Sequence, residues 1–283
     1  LGNPNVGKST FLNSWIGEEA SIVTPKSQTT RHRIRFIINS EDHQIVLSDT
    51  PGIIKPKCQL QNSMMKFLKD TLIDSDVLLL MTTVGDKMIE NNDFINKMKN
   101  IKKNLFLLIN KIDLINQEIL ETEVNMWELK LPGVKIFPIS ALNNFNVENV
   151  SKEILKNLPY SPPFFPKDQF ADKSKRFFVN EFIREQIFHK FNKEVPYSTE
   201  VVTEVFDRSM DDIIKIESTI IVERETQKGI LIGKNGLSLK KVGIDARKKL
   251  EIFFKIKVHL KLFVKVDKKW RTNIKKLKGF GYN

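Results

Sequence analysis

At 283 residues the chain exceeds the ~100–200 residues of one ordinary domain, so two separately cored domains are expected. Its single cysteine, Cys58, excludes an internal disulfide and fits a reducing compartment, and with no signal-peptide pattern and no apolar run of about 18 residues a cytosolic protein is expected. The formal net charge of +12 sits almost wholly in the second half: residues 1–170 hold 20 Lys and Arg against 19 Asp and Glu, residues 171–283 hold 26 against 15. The stretch 228–283 alone carries 17 basic and 3 acidic groups, which points that half toward a polyanion, with RNA or DNA ahead of a membrane surface.

The chain opens on GNPNVGKS, a match to G-x-x-x-x-G-K-[ST] at Gly2, Gly7, Lys8 and Ser9. In such a loop backbone N–H groups face phosphate oxygens and the following helix adds the positive end of its dipole; Lys8 would reach the β- and γ-phosphates and Ser9 would ligate Mg²⁺. A loop of this kind ordinarily follows a buried strand, yet only Leu1 precedes it and no initiator Met is present. A sequence that has lost its first strand is therefore expected, and with it a parallel sheet lacking one central strand.

Next, SQTTRHR supplies Thr30, with Thr29 as the alternative, as a switch threonine that closes on Mg²⁺ when a γ-phosphate is present. The strand-like HQIVLSD ends in DTPG, residues 49–52; Asp49 is placed to hold Mg²⁺ and the Gly52 N–H to meet the γ-phosphate. Helix-like stretches at 64–73 and 93–102 alternate with the apolar runs DVLLLMT, NLFLLIN and VKIFPIS, whose near-continuous hydrophobicity suits parallel strands covered on both faces. NLFLLIN leads into NKID and VKIFPIS into SAL. Asp113 would accept from guanine N1–H and N2–H, Asn110 would meet N7, the Lys111 stem would cover the base and the Ala141 N–H would meet O6. Adenine lacks the N2 amine, so the set favours GTP over ATP.

Candidate nucleotide-binding residues are thus Gly2, Asn3, Pro4, Asn5, Val6, Gly7, Lys8 and Ser9; Asp49, Thr50, Pro51, Gly52 and Ile53; Asn110, Lys111, Ile112 and Asp113; and Ser140, Ala141 and Leu142. Ser9, Thr30 and Asp49 form the metal set; Lys8, Thr30, Gly52 and Asn5 form the catalytic set. Ile53 stands where Ras-like enzymes place the water-orienting Gln. Slow intrinsic hydrolysis is therefore expected, with water positioned by backbone, by a partner, or by a monovalent cation such as K⁺ near Asn5.

LPYSPPFFPKDQFADKSK, residues 158–175, has four prolines and is taken as a linker between a domain at 1–157 and one at 176–283. Beyond it come a helix with Phe178, Phe182, Ile183, Ile187, Phe188 and Phe191 on one face, strands at 200–206 and 213–223, a glycine loop, a helix around 244–254 and the strand KVHLKLFVKV. The order is α-β-β-α-α-β. ILIGKNG carries G-x-x-G at Gly233, Lys234, Asn235 and Gly236, a loop with which KH modules clamp about four nucleotides while an apolar groove takes the bases. Ile230, Ile232, Gly233, Lys234, Asn235, Gly236, Lys240 and Lys241 are the RNA candidates. The aromatics Phe253, Phe254 and Phe263 are read as core, and the basic tail as an RNA-facing or solvated helix.

Together GNPNVGKST, QTTRHRI, DTPG, NKID, SAL, FFVNEFIRE, KGILIGKNG and the late WR resemble the Era-type GTPases over essentially the whole chain. That resemblance implies an α/β P-loop G domain followed by a small α+β type II KH domain, with GTP and GDP as ligands and Mg²⁺ as cofactor. It implies binding near the 3′ end of small-subunit ribosomal RNA and a role in maturing the 30S subunit, as a monomer in the cytoplasm with peripheral contact at the inner face of the cell membrane. The family carries a hydrophobic residue at the position of Ile53, and its potassium-responsive relatives an Asn at that of Asn5; Ile54 departs from the polar or histidine side chain common among members. Two other readings fit parts of the sequence: an RNA-binding scaffold with a structural nucleotide, and a related GTPase acting on tRNA or the large subunit.

Overall fold

A computed structural model describes residues 1–17, 21–87, 92–210 and 212–282, and divides the chain into two units. The first comprises residues 1–21, 30–55 and 65–172; the second comprises 22–29, 56–64 and 173–283.

In the first unit, helix α1 (Lys8–Ile16) springs directly from the glycine loop. Strands β1 (Ile34–Asn39) and β2 (Gln44–Asp49) form an antiparallel hairpin. Helix α2 (Gln59–Asp74), whose first residues group with the second unit, leads to β3 (Val77–Thr83), α3 (Asn92–Lys99), β4 (Asn104–Asn110), α4 (Gln117–Lys130), β5 (Lys135–Pro138) and α5 (Val147–Lys156). Strands β3, β4 and β5 pair in parallel in that order. Their apolar runs are buried from both sides: Phe106, Leu108, Val150 and Ile154 meet on one face, Leu80, Leu107, Trp127 and Ile95 on the other.

Among the described residues the β1–β2 hairpin and the β3–β4–β5 sheet are separate. Leu1 pairs along β3 in the parallel manner, its amine donating to Leu79 O at 2.6 Å and its carbonyl accepting from Met81 N at 2.8 Å. Between β2 and β3 lies a cavity of about 550 Å³ lined by Phe11, Leu12, Ile45, Leu47, Leu78 and Ile154 among others.

The proline-rich segment read as a linker behaves differently. Its residues to Asp172 belong to the first unit and run along β1: Ile37 N donates to Phe170 O at 2.9 Å, Asp172 N to Arg35 O at 2.9 Å, and Arg35 N to Asp172 Oδ1 at 2.9 Å. The Gln44 amide holds the backbone of Phe164 and Phe165. Prolines deny the segment a regular ladder, yet its remaining backbone groups find partners on the hairpin edge.

The second unit follows the expected order: α6 (Lys175–Lys190), β6 (Glu200–Met210), β7 (Ile213–Val222), α7 (Glu225–Ile232), α8 (Leu237–Phe254) and β8 (Lys257–Val266), with a short α9 (Ile274–Gly279) after it. Ser174 caps α6 by accepting from Phe177 N. The sheet order is β6-β7-β8, with β6 antiparallel and β8 parallel to β7. Phe178 and Phe182 of α6 stack on Phe253 of α8, which in turn meets Phe254.

Charged residues lie inside this core, Glu181 and Arg184 among them. Arg184 is fully buried and forks onto Glu181 one turn earlier, its Nε donating at 2.9 Å and a second nitrogen closing on the other oxygen. Removing Glu181 takes away the carboxylate that Arg184 forks onto and leaves Glu200 as a remaining counter-charge, so Glu181→Ala should destabilise this unit by about 3 kcal/mol, the low end for a broken buried pair. Hydrogen exchange at the α6 amides in the full chain measures it; a loss below ~1 kcal/mol would show that water reaches Arg184.

Candidate functional site

Three sequence motifs of the first unit lie at strand ends. Asp49 ends β2, Asn110 ends β4, and Ser140 follows β5. Parallel strands aim their carboxyl ends to one side, where an open α/β sheet binds its ligands.

The phosphate loop and the base-reading loops are joined through one side chain. Asn110, buried, donates from Nδ2 to Val6 O at 2.8 Å and accepts at Oδ1 from Ala141 N at 2.9 Å. A Cβ on Gly7 would stand 2.1 Å from that Nδ2, so only glycine allows the approach. Asn110 thus has both ends of its amide engaged by the protein.

Around this tie the other residues fall into place. Lys111, in the left-handed region with φ 65°, reaches back so that Nζ donates to Asn5 O at 2.8 Å, laying its stem across the loop mouth. Asp113 is exposed, with Oδ1 accepting from Ser140 Oγ at 2.6 Å, which orients the carboxylate. Ile112 instead packs into the core below. Leu142 is exposed, and Asn3 donates to Asp86. Thr50 and Pro51 are buried, and Ile53 packs on the β-sheet core while its N–H donates to Gly2 O at 3.1 Å.

The metal set converges. Ser9 Oγ donates to Asp49 Oδ2 at 3.0 Å and lies 3.2 Å from Thr30 Oγ1. Thr29 turns away, bonding Thr24 and Lys26 O within its own loop, so geometry separates the two threonines. Sequence reading missed Ser21, whose Oγ donates to the same Asp49 oxygen at 2.8 Å and whose backbone is held by Asn13. No spacing rule singles out that serine; only the fold brings it in. Burial raises the Asp49 pKa, opposed by the Ser21 hydroxyl, Lys8 and Ser9. Lys8 is buried too: desolvation lowers it to about 8 against the pull of Asp49 and Asp86, and its Nζ donates to Asn3 O at 2.8 Å and Gly2 O at 3.2 Å.

In the second unit α7 ends at Ile232 and α8 begins at Leu237, much earlier than the expected helix around 244–254, with only the G-x-x-G turn between. Gly233 has φ 69°, Asn235 φ 53° and Gly236 φ 75°, and no side chain caps the α8 N-terminus. Its first N–H groups thus stand at an exposed turn beside Lys234, a place suited to a phosphate. Ile230 and Leu237 flank the turn, exposed by 49% and 55%, with Ile244 in line one heptad on at 38%. Ile232 is half-buried, and Lys240 and Lys241 point to solvent. Leu237 and Ile244 were not among the RNA candidates; their seven-residue spacing was the available signal.

Residues 22–29, grouped with this second unit, pack on α6. Val23 N donates to Glu185 Oε1 at 3.2 Å, and the Lys26 ammonium donates to the carbonyls of Phe188 and Phe191 at the helix's C-terminal end.

A family model described as a 50S ribosome-binding GTPase matches residues 1–111, and one described as a KH domain matches 194–271. GTPase Era of Alkaliphilus metalliredigens is 43% identical over 284 aligned residues, spanning 100% of this chain and 96% of that protein. GTPase Era of Staphylococcus haemolyticus is 40% identical over 283, spanning 100% and 95%. The chain belongs to the Era family of GTPases. Among solved structures, Era in complex with MgGDPNP and nucleotides 1506–1542 of 16S ribosomal RNA superposes with a TM-score of 0.94 at 36% identity, covering 99% of this chain and 96% of that one. A point variant of Aquifex aeolicus Era bound to GDP·AlF₄⁻ matches equally, again at 0.94, 36%, 99% and 96%.

The low Lys8 pKa has a measurable consequence. A bound phosphate favours the ammonium, so the liganded pKa lies above about 8 and GDP binding takes up a proton at pH values between the two. GDP affinity should fall between pH 7.5 and 8.5, approaching tenfold per unit above about 8, and Lys8→Arg should flatten the profile. Titration calorimetry in buffers of different ionisation heat reads the proton; wild-type protein showing no uptake at pH 8.5 would contradict the shift.

Proposed function

We propose that this protein is a GTP-hydrolysing switch that binds small-subunit ribosomal RNA near its 3′ end and acts, in the cytoplasm, in assembling the 30S subunit. The observation that carries this reading is one chain holding both a guanine-selective phosphate pocket and a G-x-x-G turn, in an end-to-end match to an Era crystallised with MgGDPNP and 16S ribosomal RNA. The 50S description attaches to residues 1–111 alone, a segment without the KH module, so it bears on the G domain and not on the RNA.

In the pocket, Lys8 exchanges its two backbone carbonyls for β- and γ-phosphate oxygens. Ser9, Asp49 and Thr30 offer hydroxyl and carboxylate oxygens within hydrogen-bond reach of one another, a donor set that fits a hard dication, so these residues would hold Mg²⁺. The ion would neutralise charge developing between the β- and γ-phosphates. Asp113, with one oxygen fixed by Ser140, keeps an acceptor for the guanine N1–H and N2–H. Ile53, turned into the core, orients no water; that work falls to backbone, a partner, or K⁺ at Asn5, and slow unassisted turnover follows.

Coupling between the two ligands has a route in the loop 22–29. Its flanking residues Ser21 and Thr30 bond to Asp49 and Ser9, and its middle is bonded to α6, the helix next to α8 in the second unit. Ordering Thr30 on a γ-phosphate therefore acts on a segment already fastened to the RNA-binding unit. Contact with the cell membrane would be peripheral, since among the described residues no helix is long and apolar enough to cross one.

GTP should compete out labelled GDP while ATP at equal concentration does not, and Asp113→Asn should cost guanine affinity at least about a hundredfold while admitting xanthosine triphosphate, whose C2 carbonyl accepts from the new amide. Equal competition by ATP would end the guanine reading. For RNA, Gly236→Asp puts a side chain at φ 75° and a negative charge beside the phosphate site, and should weaken binding by about tenfold or more. Lys278→Ala in the tail should cost little and reduce the salt slope by less than about 1. Filter binding in which the two behave alike would undercut the clamp.

A further inference from the structure

Phe263 stands apart from the aromatics with which it was grouped. Phe253 and Phe254 are packed in the α6–α8 core, whereas Phe263 is 50% exposed at the middle of β8. The corrected placement follows from strand period: Val258, Leu260, Leu262, Val264 and Val266 face the helices, which sends Lys257, His259, Lys261, Phe263 and Lys265 to the other face. β8 is the edge strand, so this row forms the rim of an open sheet face.

One acidic group on that face pairs with the rim, and two others sit away from it on β6. Glu217 of β7 meets Lys261 at 3.1 Å; Glu204 of β6 accepts from Thr219, and Asp207 of β6 lies opposite Lys215. Along the rim lysines alternate with the rings of His259 and Phe263 at a step of about 6.6 Å, which sets successive lysines about 13 Å apart, close to two phosphate steps of an extended single strand. A lysine-rich composition accounts for lysines at solvent positions. It does not account for a half-exposed phenylalanine centred among three of them, across the ladder from the buried Thr219.

We propose that this rim is a second RNA surface, distinct from the G-x-x-G turn, on which Lys257 and Lys265 contact backbone phosphates and Phe263 stacks an unpaired base. The occupant is single-stranded RNA: cations attract any polyanion, but a ring spaced between cations suits a chain that alternates phosphate and flat base. The proposal rests on the reading that this unit binds RNA, and it adds length to the footprint without altering the clamp.

The test uses the full-length protein, a six-nucleotide RNA selected for binding to wild-type protein, and a 30-nucleotide RNA containing it. Lys257→Gln with Lys265→Gln should weaken the long RNA about tenfold and lower its salt slope by about 1.4, while Phe263→Ser should weaken it about 5- to 100-fold without changing the slope. The six-mer should bind all three proteins alike, as should GDP, which also reports that the variants fold. Unchanged binding of the long RNA by the variants would overturn the proposal, as would equal losses on both RNAs. Losses seen on phosphatidylglycerol vesicles but not on RNA would reassign the rim to a membrane surface. Wild-type protein that binds no RNA would overturn the functional reading itself.

Discussion

The nucleotide pocket depends on the buried Asn110 amide, which joins three loops that no strand pairing joins. Its donor holds the phosphate loop through Val6 and its acceptor holds the loop after β5 through Ala141, so the geometry of either loop is set by the other. An amide presents a donor and an acceptor about 2 Å apart on one rigid group, which an aspartate or a leucine of similar volume cannot do. Burying it is tolerable because both functions are satisfied, and leaving either open would cost about 1–3 kcal/mol. Gly7 is constrained by the same contact, since any side chain there would displace the amide.

Much of the fold was legible because its signals are local. Continuous apolar runs marked the parallel strands, fixed spacings marked four loops, and the charge imbalance set the basic second half apart from the first. What could not be read were relations between distant residues. Thr29 and Thr30 are indistinguishable in sequence; they differ because one hydroxyl turns toward Ser9 and the other closes its own loop. Ser21 reaches Asp49 only because α1 and the β-hairpin bring them together, and its neighbourhood carries no motif. The proline-rich segment reads as a connector, yet the free backbone groups of β1 recruit it as a partial extra strand.

Phe263 shows a different limit. Helix and strand periods were both available, but an aromatic on an alternating strand can face either way until the partner layers are known. Because α6 and α8 already supply Phe178, Phe182, Phe253 and Phe254 to one side, that core is filled from the helices. The strand contributes smaller aliphatics there, and its one phenylalanine goes outward.

On the function proposed above, two glycine loops about two hundred residues apart hold phosphate by different physics. The first is closed: Lys8 sits in a site dry enough to pull its pKa to about 8, and Gly2 and Gly7 lie against neighbouring atoms too closely to carry a side chain. Low dielectric makes each contact at Lys8 strong, and at the exposed Asp113 a mismatched base fails to supply the N–H donors that guanine offers. The second is open: Gly233 and Gly236 supply positive φ at a turn whose helix end faces solvent, so contacts are screened and tolerant of many sequences. Selectivity for RNA must then come from surfaces beyond the turn, from the apolar line of Ile230, Leu237 and Ile244 and from charge spread across the unit. A closed site suits a switch that must tell two guanine nucleotides from all others; an open one suits a long ligand whose identity is read over many residues.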